Sequence, residues 1–229
     1  MGGVFIGLCI VCAIISLIMK IAKENRRMKK SESVLKPLLD KTFGECRYDA
    51  RGCLSPSDTH DIFWDHPTGR DLVEAAYGGT NIKFSMLHFS REERDIDDHE
   101  YTVELYLGPW IVVEKENFIE NPVIVSPKKH GHVSKKERVL TDDPEFDDHV
   151  YAKGDPVEVL KILAPSKREK IGGLIGRHNK LTLVFEKDRI HAVYPVGDYF
   201  MPKTGYNTAQ LYEMQLKDLL DIINTLIDL

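Results

Sequence analysis

An uncharged run at the start of the chain constrains the fold more than any other feature. No charged side chain occurs from Gly2 to Met19, and most of these residues are apolar. An α-helix rises about 1.5 Å per residue, so roughly 20 such residues cross the hydrocarbon core of a bilayer. Lys20 can extend its ammonium group to the interface. We therefore predict a transmembrane anchor over residues 1–22, which contacts the lipid bilayer through residues 3–22.

The charges that flank this run indicate its orientation. Six basic residues and a single acid, Glu24, lie between residues 20 and 30. Positively charged flanks stay on the cytoplasmic side, so we predict a single-pass cell-membrane protein with residues 20–229 in the cytoplasm. A cleavable signal peptide is the alternative interpretation. That class carries its positive charge before the apolar run and small residues at a cleavage site after it. Here the charges follow the run, which favours the anchor.

Charge is unevenly divided along the chain. The net charge is −5 overall and +5 over residues 20–30, which leaves −10 for residues 31–229. A nucleic-acid groove needs clustered lysine and arginine to replace counterions, so the acidic body argues against a nucleic-acid partner. Cys46 and Cys53 match no zinc-site spacing, and a disulfide between them is not expected in a reducing compartment.

Length and composition predict one domain after the anchor. We divide the chain into an anchor over residues 1–22, a juxtamembrane basic helix or linker over residues 23–41, and a cytosolic α+β domain over residues 42–229. The basic helix is expected to break or kink near Pro37, because proline lacks the amide hydrogen that a helix needs.

Short apolar segments with alternating polarity predict a mainly antiparallel sheet. Residues 71–77 and 82–90 flank a Gly78-Gly79-Thr80-Asn81 turn, and residues 181–186 and 189–195 form a second hairpin pattern. Short connections favour antiparallel pairing over βαβ units. Further strands are predicted at residues 101–107, 110–116 and 123–126.

Two helix starts are recognisable from their capping residues. From Thr208 to Asp228 apolar residues recur at helical spacing, and Thr208 is a suitable N-cap. We expect this amphipathic helix to pack on a face of the sheet, and a partner-binding helix is the alternative. At a second start, Asp142 or Asp143 caps a helical turn and Phe146 enters the core. The predicted fold class is α+β, an N-terminal transmembrane helix followed by a mainly antiparallel sheet with a C-terminal amphipathic helix packed on it.

A series of short motifs resembles a known family. The chain carries Asp71-Leu72-Val73-Glu74, then Leu107-Gly108-Pro109-Trp110, then Leu140-Thr141-Asp142-Asp143-Pro144. Over roughly residues 40–200 it resembles the bacterial family called domain of unknown function 3137. Members tend to carry a membrane span before the domain, so the resemblance implies the same architecture and no particular activity. The chain departs from the family pattern at Met86, where members often have an acid.

Three clusters of aspartate and histidine are the chemical candidates. They are Asp97-Asp98-His99, Asp147-Asp148-His149 and His130-Gly131-His132. Carboxylate and imidazole groups bind divalent metals, and a hydrolase could use such a metal to generate hydroxide. The His-Gly-His segment lies among lysines, which oppose a bound cation. We therefore expect solvated surface here and keep a metal-dependent hydrolase as the alternative function.

Motifs for nucleophilic catalysis and phosphate binding are absent from the sequence. Residues 172–176, Gly-Gly-Leu-Ile-Gly, lack the Lys-Ser/Thr pair of a phosphate loop, and there is no Gly-x-Ser-x-Gly elbow. The carboxylates of Glu45, Asp49, Asp58 and Asp61 carry no local sign of desolvation. We assign no catalytic, cofactor-binding or metal-ligating residue and expect no cofactor. The expected function is a ligand- or protein-binding domain, rather than an enzyme, with a partner that the sequence does not identify.

Overall fold

Six α-helices and eight β-strands form the described part of the chain. The computed structural model describes residues 2–60, 67–96 and 98–229, and at residues 2–11 and 13 it describes the backbone alone. The helices are α1 (Gly2–Lys30), α2 (Lys36–Phe43), α3 (Pro144–His149), α4 (Pro156–Ile162), α5 (Pro165–Arg177) and α6 (Thr208–Ile227). The strands are β1 (Cys46–Asp49), β2 (Thr68–Tyr77), β3 (Thr80–Arg94), β4 (Glu100–Glu114), β5 (Val123–Pro127), β6 (Val150–Lys153), β7 (Thr182–Phe185) and β8 (Arg189–Val193).

The strands form one antiparallel sheet, which confirms the predicted α+β class. Their order is β1-β2-β3-β4-β8-β7-β5-β6, and every neighbouring pair is antiparallel. Both predicted hairpins are present as β2–β3 and β7–β8. The second hairpin lies between β4 and β5 in the sheet, so β1 and β6 form the two edges.

The backbone geometry of the β2–β3 turn explains why two glycines occur there. Gly78 and Gly79 have φ angles of 59° and 81°. A two-residue turn with positive φ at both central positions matches the twist of an antiparallel hairpin, and glycine adopts that backbone without steric cost.

The prediction of two separate strands at residues 101–107 and 110–116 is wrong, because β4 runs through Gly108 and Pro109. Pro109 lies one residue beyond the last β4–β8 pair, so its missing amide hydrogen removes no bond from that pairing. A Cβ at position 108 would lie 2.1 Å from the carbonyl oxygen of Tyr194, so only glycine fits there.

The N-terminal helix continues into the domain through one π-helical turn, Ser31–Leu35. The amide of Lys36 donates to the carbonyl of Ser31, five residues earlier. This wide turn precedes Pro37 and accommodates its ring and missing amide hydrogen, so the expected disturbance is a π-turn inside a continuous helical path. Within the part of the chain whose side chains are described, no helix is both long and apolar enough to cross a membrane. The predicted anchor falls largely on residues 1–11 and 13, outside that part.

Each face of the sheet covers its own apolar core. Along β4, Trp110 and Val112 join a small core, while Ile111 and Val113 join the large one. This alternation follows from the period of two in a strand. Helices α2, α4, α5 and α6 cover the large core, which confirms that the C-terminal helix packs on the sheet.

The predicted N-cap of that helix is wrong by one residue. The side chain of Asn207 accepts hydrogen bonds from the amides of Ala209 and Gln210 at 3.0 and 3.4 Å. Asn207 keeps an extended backbone, whereas Thr208 already lies in the first helical turn.

Candidate functional site

A buried arginine joins the N-terminal helix to the sheet. Arg27 of α1 is 1% exposed. Its Nη1 donates to both carboxylate oxygens of Asp71 at 3.0 and 3.1 Å, and its Nη2 donates to the carbonyl of Ala50 at 3.0 Å. Glu24, one helical turn earlier, accepts from Nη2 at 2.6 Å. The guanidinium group therefore bonds to partners on three separate elements of the chain.

Asp71 has a strained backbone conformation, and several hydrogen-bond donors hold its carboxylate in place. Its φ angle is 60°, a left-handed value that costs a non-glycine residue about 1–3 kcal/mol. It lies at an irregularity in the β2–β3 pairing. The hydroxyl of Tyr48 donates to its carboxylate at 2.6 Å, and Arg70 Nε lies 3.3 Å from Oδ2. Burial raises the pKa of the Asp71 carboxyl, against the opposing effects of Tyr48, Arg27 and Arg70.

An open cleft of about 600 Å³ lies in front of this ion pair. Arg70 Nη2 donates to Asp198 and to the carbonyl of Tyr199, both at 3.1 Å. The carboxylate of Glu104 lies 3.4 Å from His88. The arginines and carboxylates at this cleft are largely paired with one another. Their ion pairs link separate elements of the chain, so the cleft does not offer unpaired charges to a ligand.

The second concave region lies near the other edge of the sheet. We call it the α5 pocket, a cavity of about 360 Å³ between the end of β5, the α3–β6 junction and α5. Its apolar lining includes Pro127, Val150 and Ile175, and the small residues Gly172 and Gly176 leave it open. Its rim contains Lys128, Lys129, His130, Asp148, His149 and Asn179.

The rim of the α5 pocket carries excess positive charge. Lys128 Nζ lies 3.9 Å from Asp148, a weak and exposed contact. Lys129 on the rim, and Lys135 and Lys136 further along the same loop, make no ion pair with any residue that the structure describes. Nearby, burial lowers the pKa of His132. These lysine ammonium groups are therefore available to a partner with negative charge.

Local sequence positions α3, whose last residues Asp148 and His149 line this pocket. Asp143 is the N-cap of α3 and accepts the amide hydrogen of Phe146 at 3.1 Å, which settles the choice between Asp142 and Asp143. Asp142 instead bonds to Arg168 of α5. The buried ring of Phe146 packs against Gly172, where an added Cβ would lie 3.4 Å from it.

The structure separates the predicted aspartate and histidine clusters. His130, Asp148 and His149 do line the α5 pocket together. Asp98 and His99 lie instead at the end of the β3–β4 hairpin, and Asp97 lies outside the described residues. Among the residues that the structure describes, no group of three metal-ligating side chains is close enough to hold an ion.

The remaining predicted carboxylates have local partners. Asp49 accepts the amide of Arg51 at 2.9 Å, and this backbone bond is the first cause of its lowered pKa. Asp58 accepts from Lys83 at 2.9 Å. Glu45 is exposed, and Asp61 lies outside the described residues.

Sequence reasoning missed two buried polar residues. Arg27 continues the row of buried residues Ser31, Leu35 and Leu39 at a spacing of four, a signal that was available. On β8, His191 is fully buried, and the indole of Trp110 donates to its Nδ1 at 3.3 Å. Its Nε2 lies 3.3 Å from Glu186, whose pKa is lowered chiefly by this histidine.

Comparisons with known proteins add little to the geometry. No protein-family model and no curated protein matches the chain. Among solved structures, the crystal structure of the mycobacterial trehalose monomycolate transport factor A is 12% identical, with a TM-score of 0.45. The match covers 89% of this chain and 94% of that one. A similarity this small carries no argument about function.

Proposed function

We propose that this chain is a single-pass membrane protein whose α+β domain binds a ligand or a protein at the cytoplasmic face. We also propose membership of the family called domain of unknown function 3137, from the motif series in the sequence. The uncharged run before Lys20 supports the anchor, and the basic residues after it support the orientation.

The buried Arg27–Asp71 ion pair is the observation that carries this proposal. A simple tether needs no specific contact between anchor and domain. Here one helical path leads from α1 through the π-turn to Leu35 and Leu39, which are fully buried in the large core. The domain would therefore be held at a fixed height above the bilayer, a geometry that suits binding close to the membrane.

The exposure of the basic segment supports a role at the lipid surface. Lys20, Lys23, Arg26, Lys29 and Lys30 remain outside the protein core, whereas Arg27 is withdrawn into it. Five exposed cations next to an apolar span can bind anionic lipid headgroups. Each charge contributes about 1 kcal/mol to that binding.

Labelling of cysteines tests the proposed topology. An impermeant maleimide applied to intact cells should miss Cys46 and Cys53, and it should reach the half-buried Cys46 after permeabilisation. The matched control is Gly2→Cys, just before the predicted bilayer contact over residues 3–22, which should be labelled in intact cells. Labelling of Cys46 from outside, or recovery of the full chain in the soluble fraction, would contradict the proposal.

A further inference from the structure

The β3–β4 hairpin projects beyond the sheet as a two-stranded arm, which we define as residues 90–96 and 98–104. β2 pairs with β3 only as far as His88, and β8 pairs with β4 only from Trp110 onward. The five pairs from Ser90–Glu104 to Arg94–Glu100 thus have no third strand among those described. At about 3.4 Å per pair the arm reaches about 17 Å. An isolated two-stranded ribbon is marginally stable, so a docking partner would stabilise it.

The arm has an apolar tip and a strongly acidic composition. Ile96, at its end, is fully exposed. Seven acidic residues and two arginines lie within residues 90–104, for a net charge of −5. Ion pairs within the arm join Arg94 to Asp98 and Glu100, and Asp95 lies 3.5 Å from His99. The surface that best fits this arm has an apolar pocket with a basic rim.

The α5 pocket has both properties. Its floor contains the apolar side chains of Ile175 and Val150, and its rim contains Lys128 and Lys129. The adjoining segment, residues 128–138, carries five basic residues and one acid, for a net charge of +4. Charge complementarity of this kind steers association and fixes the register of a contact.

Strand direction places the arm and the pocket at the same end of the sheet. Neighbouring strands alternate in direction, so β3, β8 and β5 all run toward one end in the order β3-β4-β8-β7-β5. The arm extends β3 at this end, and the α5 pocket follows Pro127 at the end of β5. The cleft beside Lys20 of α1 lies there too, next to His88. In two copies anchored in one membrane, arm and pocket would therefore both lie at the end of the sheet that carries this cleft.

We propose that the arm of one copy inserts Ile96 into the α5 pocket of a second copy, with Asp95 and Asp98 opposite Lys128 and Lys129. The contact joins two different surfaces, so it is head-to-tail and leaves each outer copy one free arm or pocket. This inference names a partner for the binding domain proposed above. Its test does not depend on the orientation in the membrane, so the two proposals can fail separately.

Zero-length crosslinking of isotopically mixed protein tests the contact. Equal amounts of ¹⁵N-labelled and unlabelled full-length chain are mixed, reconstituted in phosphatidylcholine vesicles and treated with a carbodiimide. We expect peptides that join Asp95 or Asp98 to Lys128 or Lys129, with both isotopes in one product. Absence of these peptides, or products that carry a single isotope only, would overturn the proposal.

Filling the pocket provides a variant that should still fold. A Cβ at Gly176 meets no atom within 4 Å, so Gly176→Leu places its side chain in open space and improves helix propensity. We expect about a tenfold or greater loss of mixed crosslinks, as for loss of one buried aliphatic side chain. Gly173→Leu is the matched control, because Gly173 lines a different cavity on the same helix. Equal crosslinking by the two variants would contradict the proposed docking site.

A charge exchange tests the rim contacts independently. Lys129→Glu alone and Asp98→Lys alone should each weaken crosslinking, since both place like charges opposite one another. A mixture of the two variants should recover contacts between the Asp98→Lys arm and the Lys129→Glu pocket, read as altered crosslinked peptides. Failure of the mixture to recover any association would count against this pairing.

Discussion

The cleft at Arg27 and the α5 pocket use charge in opposite ways. At the cleft, Arg27 and Asp71 are buried and bonded to each other, and further partners surround them. At the α5 pocket, the basic side chains are exposed and Lys129 has no ion-pair partner among the described residues. In the first region the charged groups therefore form ion pairs that join elements of this chain, whereas in the second they stay accessible to another molecule.

The largest expected effect comes from breaking the buried ion pair. Arg27→Met leaves the Asp71 carboxylate buried without its main cation, which should lower the free energy of unfolding by about 3–5 kcal/mol. Arg26→Met is the matched control, because Arg26 is exposed on the same helix and should change stability by less than about 0.5 kcal/mol. Chemical denaturation of the full chain in detergent measures both. Equal stability of the two variants would show that the cleft is not a structural cross-link.

The packing of Phe146, the buried aromatic residue of α3, should rank second. Phe146 is 8% exposed and packs in the large core, so Phe146→Ala should cost about 3 kcal/mol. Thermal unfolding of the variant gives the change in stability. A cost below about 1 kcal/mol would mean that α3 is not anchored by this ring.

The cap of α3 should have a smaller effect. Asp143→Ala removes the acceptor for the Phe146 amide and should cost about 1 kcal/mol. Asp142→Ala removes an exposed bond to Arg168 and should cost less. Parallel denaturation curves compare the two variants, and a reversed order would assign the cap to Asp142.

The smallest effect concerns a single carboxyl in the basic segment of residues 128–138. Glu137 accepts hydrogen bonds from Lys153 at 2.6 Å and from Ser134 at 2.7 Å, which lower its pKa to about 2. A lowered pKa in the folded state stabilises the fold above the ordinary value of 4.5, and this contribution is lost as the pH falls toward 2. A titration of the Glu137 carboxyl by NMR should show this low midpoint, and a midpoint near 4.5 would contradict the bond to Lys153.

Local patterns predicted much of the fold because the physics behind them is local. Positive φ at Gly78 and Gly79 and the apolar spacing of α6 depend on nearby residues alone. The errors at Pro109 and Thr208 arose where a neighbouring strand or the preceding residue decided the outcome. Pro109 is tolerated because β8 has ended, and Asn207 caps α6 because its own backbone is extended.

The two sites were harder to predict, because each depends on residues far apart in sequence. Arg27 and Asp71 are 44 residues apart, and nothing near either one indicates the pairing. The sequence placed Arg27 in a uniform basic segment, whereas helical phase turns it inward and leaves Arg26 outside. The α5 pocket likewise forms only where β5, α3 and α5 meet. From the sequence alone, its lysines therefore looked like residues of an ordinary surface loop.

Hydrogen exchange along the N-terminal helix tests most directly whether helix and domain are one unit. The full chain in a lipid nanodisc would be exchanged, and the amides of residues 27–43 compared with those of the central strand β4. Because Arg27, Leu35 and Leu39 are buried in the fold, the account predicts that both groups exchange only through global unfolding, with equal free energies. Rapid exchange of residues 27–43 while β4 stays protected would show a flexible tether and contradict the account.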